Sequence, residues 1–300
     1  MPYIYINNKK EMRIRIFSDT LNSLQWKEKY ESSCFSGFVD YYKEQKAIEF
    51  VSDETYTHAI LLDQVIPDLL VPRENVVGMS LQCKPRWKKD FVLYAKENIN
   101  KYYVGDDTDV EFLGNPFVKH FSFVPYCLPL HTIGEKTRVM SITVFDKRFS
   151  LGNYYCNKIV ELIVENNIPI DIFGKTEKDY RGTKSKTGGS NLFSLKESYM
   201  PTDPYEKYGF SIVIEENKSN AFFSDRLITS MICQSVPIYF GCDSLGKIEE
   251  NAILLTGNLA KDMNVIVDIL KKPEYYYKDI NIDKLDKRMN LLRNAKKLFS

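Results

Sequence analysis

Short apolar runs bounded by turn residues follow one another along the first part of the chain. These runs are Met12 to Phe17, Ala47 to Ser52, His58 to Leu62, Asn75 to Leu81 and Tyr102 to Val104. Polar stretches with helical character lie between them, such as Lys88 to Ile99. Buried parallel strands read as continuous apolar runs, and crossover helices separate them, so this pattern predicts a parallel α/β layer.

The second part of the chain repeats the alternation more clearly. Strands are predicted at Arg138 to Phe145, Ile168 to Gly174, Phe210 to Asn217, Val236 to Gly241 and Ala252 to Thr256. Helices are predicted at Asn153 to Glu165, Ser224 to Gln234 and Leu259 to Leu270, and the last thirty residues read as a charged helix. Two open α/β sheets predict two Rossmann-like domains that face each other across a ligand-binding cleft.

Proline-rich and glycine-rich segments suggest where the domains divide. Residues 114 to 136 contain three spaced prolines and fit neither periodicity, so they are a candidate linker. We predict a first domain over 1–136, a second domain over 137–275, and a C-terminal helix over 276–300 that packs back on the first domain. The Lys-, Gly- and Ser-rich stretch 175–191 has almost nothing to bury and is predicted to be mobile.

Composition excludes several classes of function. The 300 residues carry 41 Lys and Arg against 40 Asp and Glu, a formal charge of +1, so there is no electrostatic signature of a nucleic-acid binder. No signal-peptide core and no run of about 18 to 20 apolar residues is visible, which predicts a soluble, cytoplasmic protein. The six scattered cysteines include no CxxC pair and are expected to be reduced packing residues.

The segment from Phe210 to Gly241 carries the chemistry. Glu216 and Asn217 come where a strand ends, and Ser224, Asp225 and Arg226 come where the next helix begins, so both sets face one rim. A helix amino end offers unpaired N–H groups, and an arginine fork matches phosphate oxygens, so an anion is expected there. Asp225 suits the first turn and is a candidate for bonding ribose hydroxyls. The alternative is ordinary helix capping by Ser224.

The same segment resembles the donor-site signature of glycosyltransferase family 10, the α-1,3/4-fucosyltransferases. That signature reads roughly F-x-x-x-x-E-N, a loop, Y-x-T-E-K-L, a helix and V-P-I-Y-W-G. Here the corresponding elements are Phe210, Glu216-Asn217, Phe222, Ser224 to Leu227 and Val236 to Gly241. The resemblance covers about residues 137 to 285. It implies a GT-B fold, with an acceptor-side domain over 1–136 and a nucleotide-sugar donor domain over 137–275. It also implies an inverting, metal-independent transfer from a GDP-sugar, most simply fucose from GDP-fucose, to a glycan hydroxyl.

The resemblance also implies site residues, and the departures from the signature affect some of them. Arg226 and the N–H groups after Ser224 would hold the diphosphate, Asp225 and Asn217 would orient ribose and phosphate, and Glu216 would support the donor sugar. Phe222 lacks the hydroxyl of the family's tyrosine. The family's arginine on the first helix of this domain has three candidate positions, which are Arg148, Lys158 and Cys156. The absence of an anchor differs from Golgi-type members and favours a microbial or viral type.

An inverting transfer needs a carboxylate that accepts the proton of the acceptor hydroxyl. Where the family usually has Glu after NVVGMSL, this chain has Gln82, and an amide is not a base. Asp63, at the end of the strand HAILL, is the best substitute; the alternative is an ordinary turn-initiating Asp. A relative that binds nucleotide sugars without transferring them therefore remains open.

Other motifs are less specific. Asp107 and Asp109 form a D-x-D pattern that would hold a metal in a metal-dependent glycosyltransferase, but they lie in an acidic stretch that reads as a turn. Gly174-Lys175-Thr176 lacks the glycine that a phosphate loop needs five positions earlier. We therefore predict no metal and no cofactor beyond the GDP-sugar substrate.

Overall fold

The computed structural model describes residues 12–36, 39–40, 48–119, 133–144, 150–174 and 200–300. The chain divides into two compact units, Met1–Pro125 with Lys287–Ser300 and Tyr126–Asp286. In the described ranges each unit is built on one parallel sheet with helices around it. No helix within these ranges is long and apolar enough to cross a membrane.

Unit 1 contains a six-stranded sheet with the order β4-β1-β5-β6-β7-β8, and every neighbouring pair is parallel. Its strands are β1 (Met12–Phe17), β4 (Ile48–Val51), β5 (His58–Leu62), β6 (Val76–Met79), β7 (Lys101–Val104) and β8 (Phe117–Lys119). A short antiparallel pair, β2 (Phe35–Ser36) with β3 (Val39–Asp40), lies outside this sheet. Its helices are α1 (Ser23–Cys34), α2 (Lys89–Asn98), α3 (Asp107–Leu113) and α10 (Leu291–Phe299).

The sheet of unit 1 is covered on both faces, which explains its continuous apolar strands. On one face Trp26 of α1 and Leu291, Ala295 and Leu298 of α10 pack against β1 and β5. On the other face Phe91 and Ala95 of α2 pack with Tyr102 and Phe117. The last helix of the chain is therefore part of the core of unit 1.

Unit 2 contains a five-stranded parallel sheet with the order β10-β9-β11-β12-β13. Its strands are β9 (Arg138–Val144), β10 (Asp171–Gly174), β11 (Tyr208–Ser219), β12 (Val236–Cys242) and β13 (Ile253–Leu254). The remaining helices are α4 (Leu151–Glu165), α5 (Asp203–Glu206), α6 (Asp225–Ile232), α7 (Leu259–Lys271), α8 (Pro273–Tyr276) and α9 (Ile282–Met289). On one face of the sheet, apolar side chains of α4, such as Tyr155, pack with apolar side chains of α7, such as Ile269.

Both sheets reverse their strand order at the first strand. In unit 1 β4 lies on one side of β1 and β5 on the other, and in unit 2 β10 and β11 flank β9 in the same way. Loops that leave the carboxyl ends at such a switch point diverge and open a crevice, which is where ligands bind in open α/β sheets. The expected binding edges are therefore those beyond β1 and β5 and beyond β9 and β11.

The two predicted α/β sheets are confirmed, with local corrections. The predicted linker 114–136 contains β8, which pairs with β7 from Tyr102 to Val104 and completes the first sheet. The C-terminal segment is two helices rather than one, since Asn290 caps a new helix through its side chain. The acidic stretch around Asp107 begins helix α3 instead of a turn. The stretch 175–191 lies outside the described residues.

Candidate functional site

The carboxyl end of β11 in unit 2 is organised by Glu215, a residue that sequence reasoning missed. Glu215 is only 2% exposed, whereas the predicted Glu216 is exposed. The Glu215 Oε1 atom accepts hydrogen bonds from the backbone N–H and the hydroxyl of Ser224, each over 3.0 Å. This carboxylate therefore ties the end of the strand to the first residues before α6.

Glu215 also forms a buried ion pair with Arg226. The Arg226 Nη2 atom donates to Glu215 Oε2 over 3.1 Å, and its Nε atom donates to the Ser224 hydroxyl over 3.1 Å. The Glu215 side chain is 3% exposed and the Arg226 side chain 21%, so the carboxylate is shielded and the arginine is largely buried. Burial is the largest single influence and lowers the pKa of Arg226, but Glu215, Tyr205, Asp225 and Cys156 act together in the opposite direction and the pKa is raised.

This pair corrects one sequence expectation. We expected the partner of Arg226 to be a ligand phosphate and not a group of the core, yet the core carboxylate Glu215 holds it. Ser224 is the N-cap residue of α6, as the alternative predicts, but its side chain makes no bond to the helix backbone. Its hydroxyl instead donates to Glu215 and accepts from the Arg226 Nε atom. Whether Arg226 also contacts a donor stays a prediction.

Two glycines allow the elements around Glu215 to pack without a gap. A Cβ added at Gly152, in the first turn of α4, would lie 1.8 Å from the Glu215 carbonyl oxygen. A Cβ added at Gly241, near the end of β12, would lie 2.3 Å from Glu215 Cγ. Any side chain at either position would push the strand end away. The amino end of α4 and the end of β12 thus both close on the same residue.

Tyr239 of the VPIYFG segment completes the network. Its hydroxyl donates to Glu215 Oε1 over 3.4 Å and accepts from the Cys242 N–H over 3.0 Å. Burial raises the pKa of Tyr239 well above its ordinary value, with the Glu215 charge adding to the effect. Tyr239 therefore acts as a neutral donor that joins β12 to the carboxylate on β11.

The other predicted donor residues occupy different environments along this edge. Asn217, Ser224 and Asp225 are half-buried, and Asp225 lies in the first turn of α6. Phe222 is 6% exposed, so its ring is part of the core of unit 2. The structure therefore brings Ser224, Asp225 and Arg226 together at the start of α6.

The three positions that could correspond to the family's arginine on the first helix of this domain tell less about the donor site. Arg148 lies outside the described residues. On α4, Lys158 pairs with Glu161 over 2.8 Å and lies 5.5 Å from the centre of the Tyr154 ring. Cys156 faces the interior, where burial raises the pKa of its thiol to about 12, while the nearby Arg226 acts in the opposite direction. The thiol of Cys156 thus lies within electrostatic reach of Arg226.

In unit 1 the structure brings the two candidate positions for the base, Asp63 and Gln82, to one edge. Asp63 follows β5 with a φ of 54°, and its Oδ1 atom accepts a hydrogen bond from the Leu81 N–H over 2.9 Å. Leu81 directly precedes Gln82, which is exposed. The Tyr102 hydroxyl donates to the Asp63 carbonyl oxygen over 2.6 Å. Contacts from Leu81, which follows β6, and from Tyr102 of β7 therefore hold Asp63 in place. The Oδ2 atom of its carboxylate takes no part in these two contacts.

The environment of Asp63 favours proton uptake. Burial raises the pKa of its carboxyl, the Leu81 N–H opposes that shift, and the nearby Asp19 carboxylate adds to it. A carboxylate with a raised pKa is a stronger base than an exposed one. The alternative of a plain turn residue stays open.

The two residues of the D-x-D pattern differ: Asp107 is paired, whereas the buried Oδ2 atom of Asp109 has no hydrogen-bond partner within the described residues. Asp107 pairs with Lys119 over 3.0 Å, and the neighbouring Asp106 caps α3 by accepting from the Thr108 N–H. Burial raises the pKa of Asp109, and the Trp87 indole N–H beside it opposes the shift. Among the residues that the structure describes, no three His, Cys, Asp or Glu side chains come together as a metal site.

Comparisons with known proteins identify the fold. No protein-family model matches the sequence, and no curated protein matches it. A crystal structure of an α1,3-fucosyltransferase with GDP matches with a TM-score of 0.51 at 9% identity, over 100% of this chain and 95% of that chain. Anabaena Alr3699/HepE with UDP-glucose matches with a TM-score of 0.52 at 9% identity, over 96% and 98%.

Together with the two parallel sheets, these similarities define the architecture. The chain has the α/β architecture of the GT-B glycosyltransferases. A second structure of Alr3699/HepE, in complex with UDP, matches with a TM-score of 0.53 at 7% identity, over 95% of this chain and 98% of that one. At such identities the similarity concerns the fold, and the activity must be argued from the residues.

Proposed function

We propose that the protein is an inverting glycosyltransferase that moves fucose from GDP-fucose to a glycan hydroxyl without a metal ion. One observation carries the proposal. The segment from Phe210 to Gly241 that resembles the family 10 signature lies at the carboxyl edge beside the switch point of unit 2. There it forms a hydrogen-bonded network around Glu215 and Arg226. The GT-B fold and the fucosyltransferase structure with GDP support the same reading.

The donor roles follow from this network. Arg226 and the first-turn N–H groups of α6 hold the diphosphate, because a helix amino end and a guanidinium both favour phosphate oxygens. Glu215 is a positioning residue: it fixes the orientation of the Arg226 fork. Asp225 and Asn217 orient ribose and phosphate. Glu216, exposed at the same strand end, supports the donor sugar.

The transfer step assigns one role to each unit. The acceptor oxygen attacks the anomeric carbon of the donor, its proton passes to the Asp63 carboxylate, and the bond from the anomeric carbon to the diphosphate breaks. The electron pair leaves with the GDP oxygen, and the charge that develops on the diphosphate is stabilised by Arg226. Attack on the face opposite the leaving group inverts the configuration.

Calorimetry with GDP, UDP, GDP-fucose and UDP-glucose in the presence of EDTA tests the donor assignment. We expect GDP and GDP-fucose to bind. Arg226→Lys keeps the charge opposite Glu215 but loses the fork, and should weaken GDP by about 1.5 to 3 kcal/mol. The matched control is Lys284→Ala, since Lys284 is an exposed cation of the same unit that is already paired with Glu250 over 2.7 Å. Unchanged GDP affinity in Arg226→Lys would remove Arg226 from the donor site.

The second candidate is a relative that binds nucleotide sugars without transferring them. Two observations favour it: Gln82 offers an exposed amide where the family has a carboxylate, and Phe222 is buried without a hydroxyl. Binding of GDP-fucose with no hydrolysis and no transfer to any glycan of a broad panel would support it. A metal-dependent enzyme built on Asp107 and Asp109 would instead lose activity in EDTA and regain it with Mn²⁺.

A further inference from the structure

A buried tyrosine of unit 2, which no motif singled out, lies beside the candidate donor site. Tyr205 belongs to the short helix α5 and is 4% exposed. The carbonyl oxygen of Pro204, just before it, accepts from the Ser211 hydroxyl over 3.3 Å. The carbonyl oxygen of Glu206, just after it, accepts from Lys136 Nζ over 2.8 Å. Because α5 also packs against α6, the backbone around Tyr205 is held next to the helix of the donor site.

The Tyr205 hydroxyl makes no hydrogen bond within the described residues. The other buried tyrosines among the described residues of unit 2 all donate to a carboxylate: Tyr155 to Asp262, Tyr208 to Asp171 and Tyr239 to Glu215. Buried polar groups are almost always paired, because an unpaired one loses its hydrogen bonds to water without a replacement. A buried hydroxyl without a partner therefore indicates a partner that the chain itself does not supply.

The charged groups around the Tyr205 hydroxyl are those of the donor network. Burial raises the pKa of Tyr205, and the nearby Arg226 opposes that shift. Asp225, the thiol of Cys233 and Glu215 also lie within electrostatic reach and add to the rise of the pKa. The influence is mutual, since Tyr205 in turn acts on Arg226. The hydroxyl is thus a protonated donor that lies near the guanidinium.

The donors near this hydroxyl fit an oxygen of a phosphate group. A phosphate oxygen accepts several hydrogen bonds at once, and here a guanidinium, a phenol and the amino end of α6 come together. Glu215 does not oppose such a ligand strongly, because Arg226 already balances its charge. The Asp225 carboxylate would oppose an anion placed directly against it. We therefore expect the phosphate on the side of Arg226.

We propose that the Tyr205 hydroxyl donates a hydrogen bond to an oxygen of the donor diphosphate beside Arg226. This rests on the proposed function, because that function places the diphosphate at the amino end of α6. Tyr205 precedes the segment that resembles the family signature, which begins at Phe210. The hydroxyl gains its partner only when the diphosphate binds. Tyr205 therefore contributes its hydroxyl to affinity for the donor and not to the stability of the ligand-free chain.

Tyr205→Phe removes only the hydroxyl and tests the proposal by two measurements. In calorimetry with GDP, UDP and pyrophosphate, the affinity for each ligand that the wild type binds should fall roughly 10- to 100-fold, as for a hydrogen bond to a charged group. The thermal unfolding midpoint of the ligand-free variant should equal or exceed that of the wild type, because no hydrogen bond is lost. Unchanged affinities would overturn the proposal. A lowered midpoint would overturn it as well, since the hydroxyl would then stabilise the ligand-free chain.

A second tyrosine of the same unit is the matched control. Tyr208→Phe removes a hydroxyl that donates to Asp171 over 2.7 Å, and both residues begin strands, at the edge of the sheet opposite the donor site. This variant should lower the unfolding midpoint and leave the ligand affinities unchanged. Equal losses of affinity in Tyr205→Phe and Tyr208→Phe would overturn the proposal, because the effect would then not be specific to the donor site.

The choice of ligands separates this inference from the proposed function. A wild type that prefers UDP to GDP, with weaker UDP binding in Tyr205→Phe, contradicts the GDP assignment and supports the role of Tyr205. Full GDP affinity in Tyr205→Phe contradicts the role of Tyr205 and leaves the GDP assignment intact. If the wild type binds none of the three ligands, both proposals are wrong.

Discussion

The two sheets have the same strand order around their first strand, but their carboxyl edges differ. Side chains fill the edge of one sheet, and a cavity lies at the edge of the other. In unit 2 the edge is occupied by the buried Glu215–Arg226 pair, with Gly152 and Gly241 closing on it. In unit 1 the edge keeps an open cavity, and Asp63 is half-buried two residues before the lining residue Val65. A filled edge presents fixed groups to a ligand, and an open edge presents space. The comparison suggests that unit 2 recognises a ligand through charged groups already held in place, and that unit 1 selects a ligand by its shape.

The largest effect should come from breaking the charge pair in unit 2. Glu215→Ala leaves Arg226 buried without its carboxylate, so the free energy of unfolding should fall by about 3 to 5 kcal/mol. Urea unfolding followed by circular dichroism measures this. The matched control, Glu216→Ala, removes the adjacent exposed carboxylate and should stay within about 0.5 kcal/mol of the wild type. Equal losses in both variants would remove the distinction between the two glutamates.

The corresponding change in unit 1 should affect turnover and leave donor binding unchanged. Asp63→Asn keeps the hydrogen bond from the Leu81 N–H but removes the base, so turnover should fall roughly 10²- to 10⁴-fold. Donor affinity by calorimetry should hardly change. Asp68→Asn, an exposed Asp in the same segment, is the control. Full turnover in Asp63→Asn would exclude Asp63 as the base.

The pH dependence of turnover in the wild type gives a second test of Asp63 as the base. The base works only when ionised, and burial raises the pKa of this carboxyl above its usual 3.8. Turnover should therefore decline as the pH falls through that raised pKa, at a higher pH than an exposed Asp would give. This acidic limb should disappear from the residual activity of Asp63→Asn. If the acidic limb persists in Asp63→Asn, it arises from the titration of a group other than Asp63.

A smaller effect is expected from the packing of the filled edge. Gly152→Ala places a Cβ against the backbone oxygen of Glu215 and should cost about 1 to 3 kcal/mol of stability. Gly134→Ala, at a glycine with no atom within 4 Å of the added Cβ, is the control. Thermal unfolding compares the two. If Gly152→Ala is as stable as Gly134→Ala, the edge of unit 2 is less tightly filled than the contacts indicate.

The smallest effect concerns the second candidate position in unit 1. Gln82→Glu lies on the exposed loop held to Asp63 through Leu81, so stability should change by no more than about 0.5 kcal/mol. In the Asp63→Asn background the new carboxylate should restore part of the lost turnover. No recovery there would mean that only the residue after β5 reaches the acceptor hydroxyl.

Local pattern was enough to predict much of the fold. His58 to Leu62 and Val236 to Gly241 are strands because an apolar run buried on both faces fits only the middle of a covered parallel sheet. The start of α6 at Asp225 was predicted from its capping sequence. In contrast, β8 was missed because three residues between prolines carry no period of their own, and pairing with β7 alone makes them a strand.

For the site, the sequence alone determined which segments carry the polar groups, and tertiary structure decided which group does what. Glu215 and Glu216 are adjacent carboxylates that strand alternation must place on opposite faces, and no local signal says which one faces the core. The choice of Glu215 follows from where Ser224, Arg226 and Tyr239 come to lie, and these residues belong to other elements. The cavity at Ser52 and Val65 likewise exists only because three loops distant in sequence leave the sheet at one switch point.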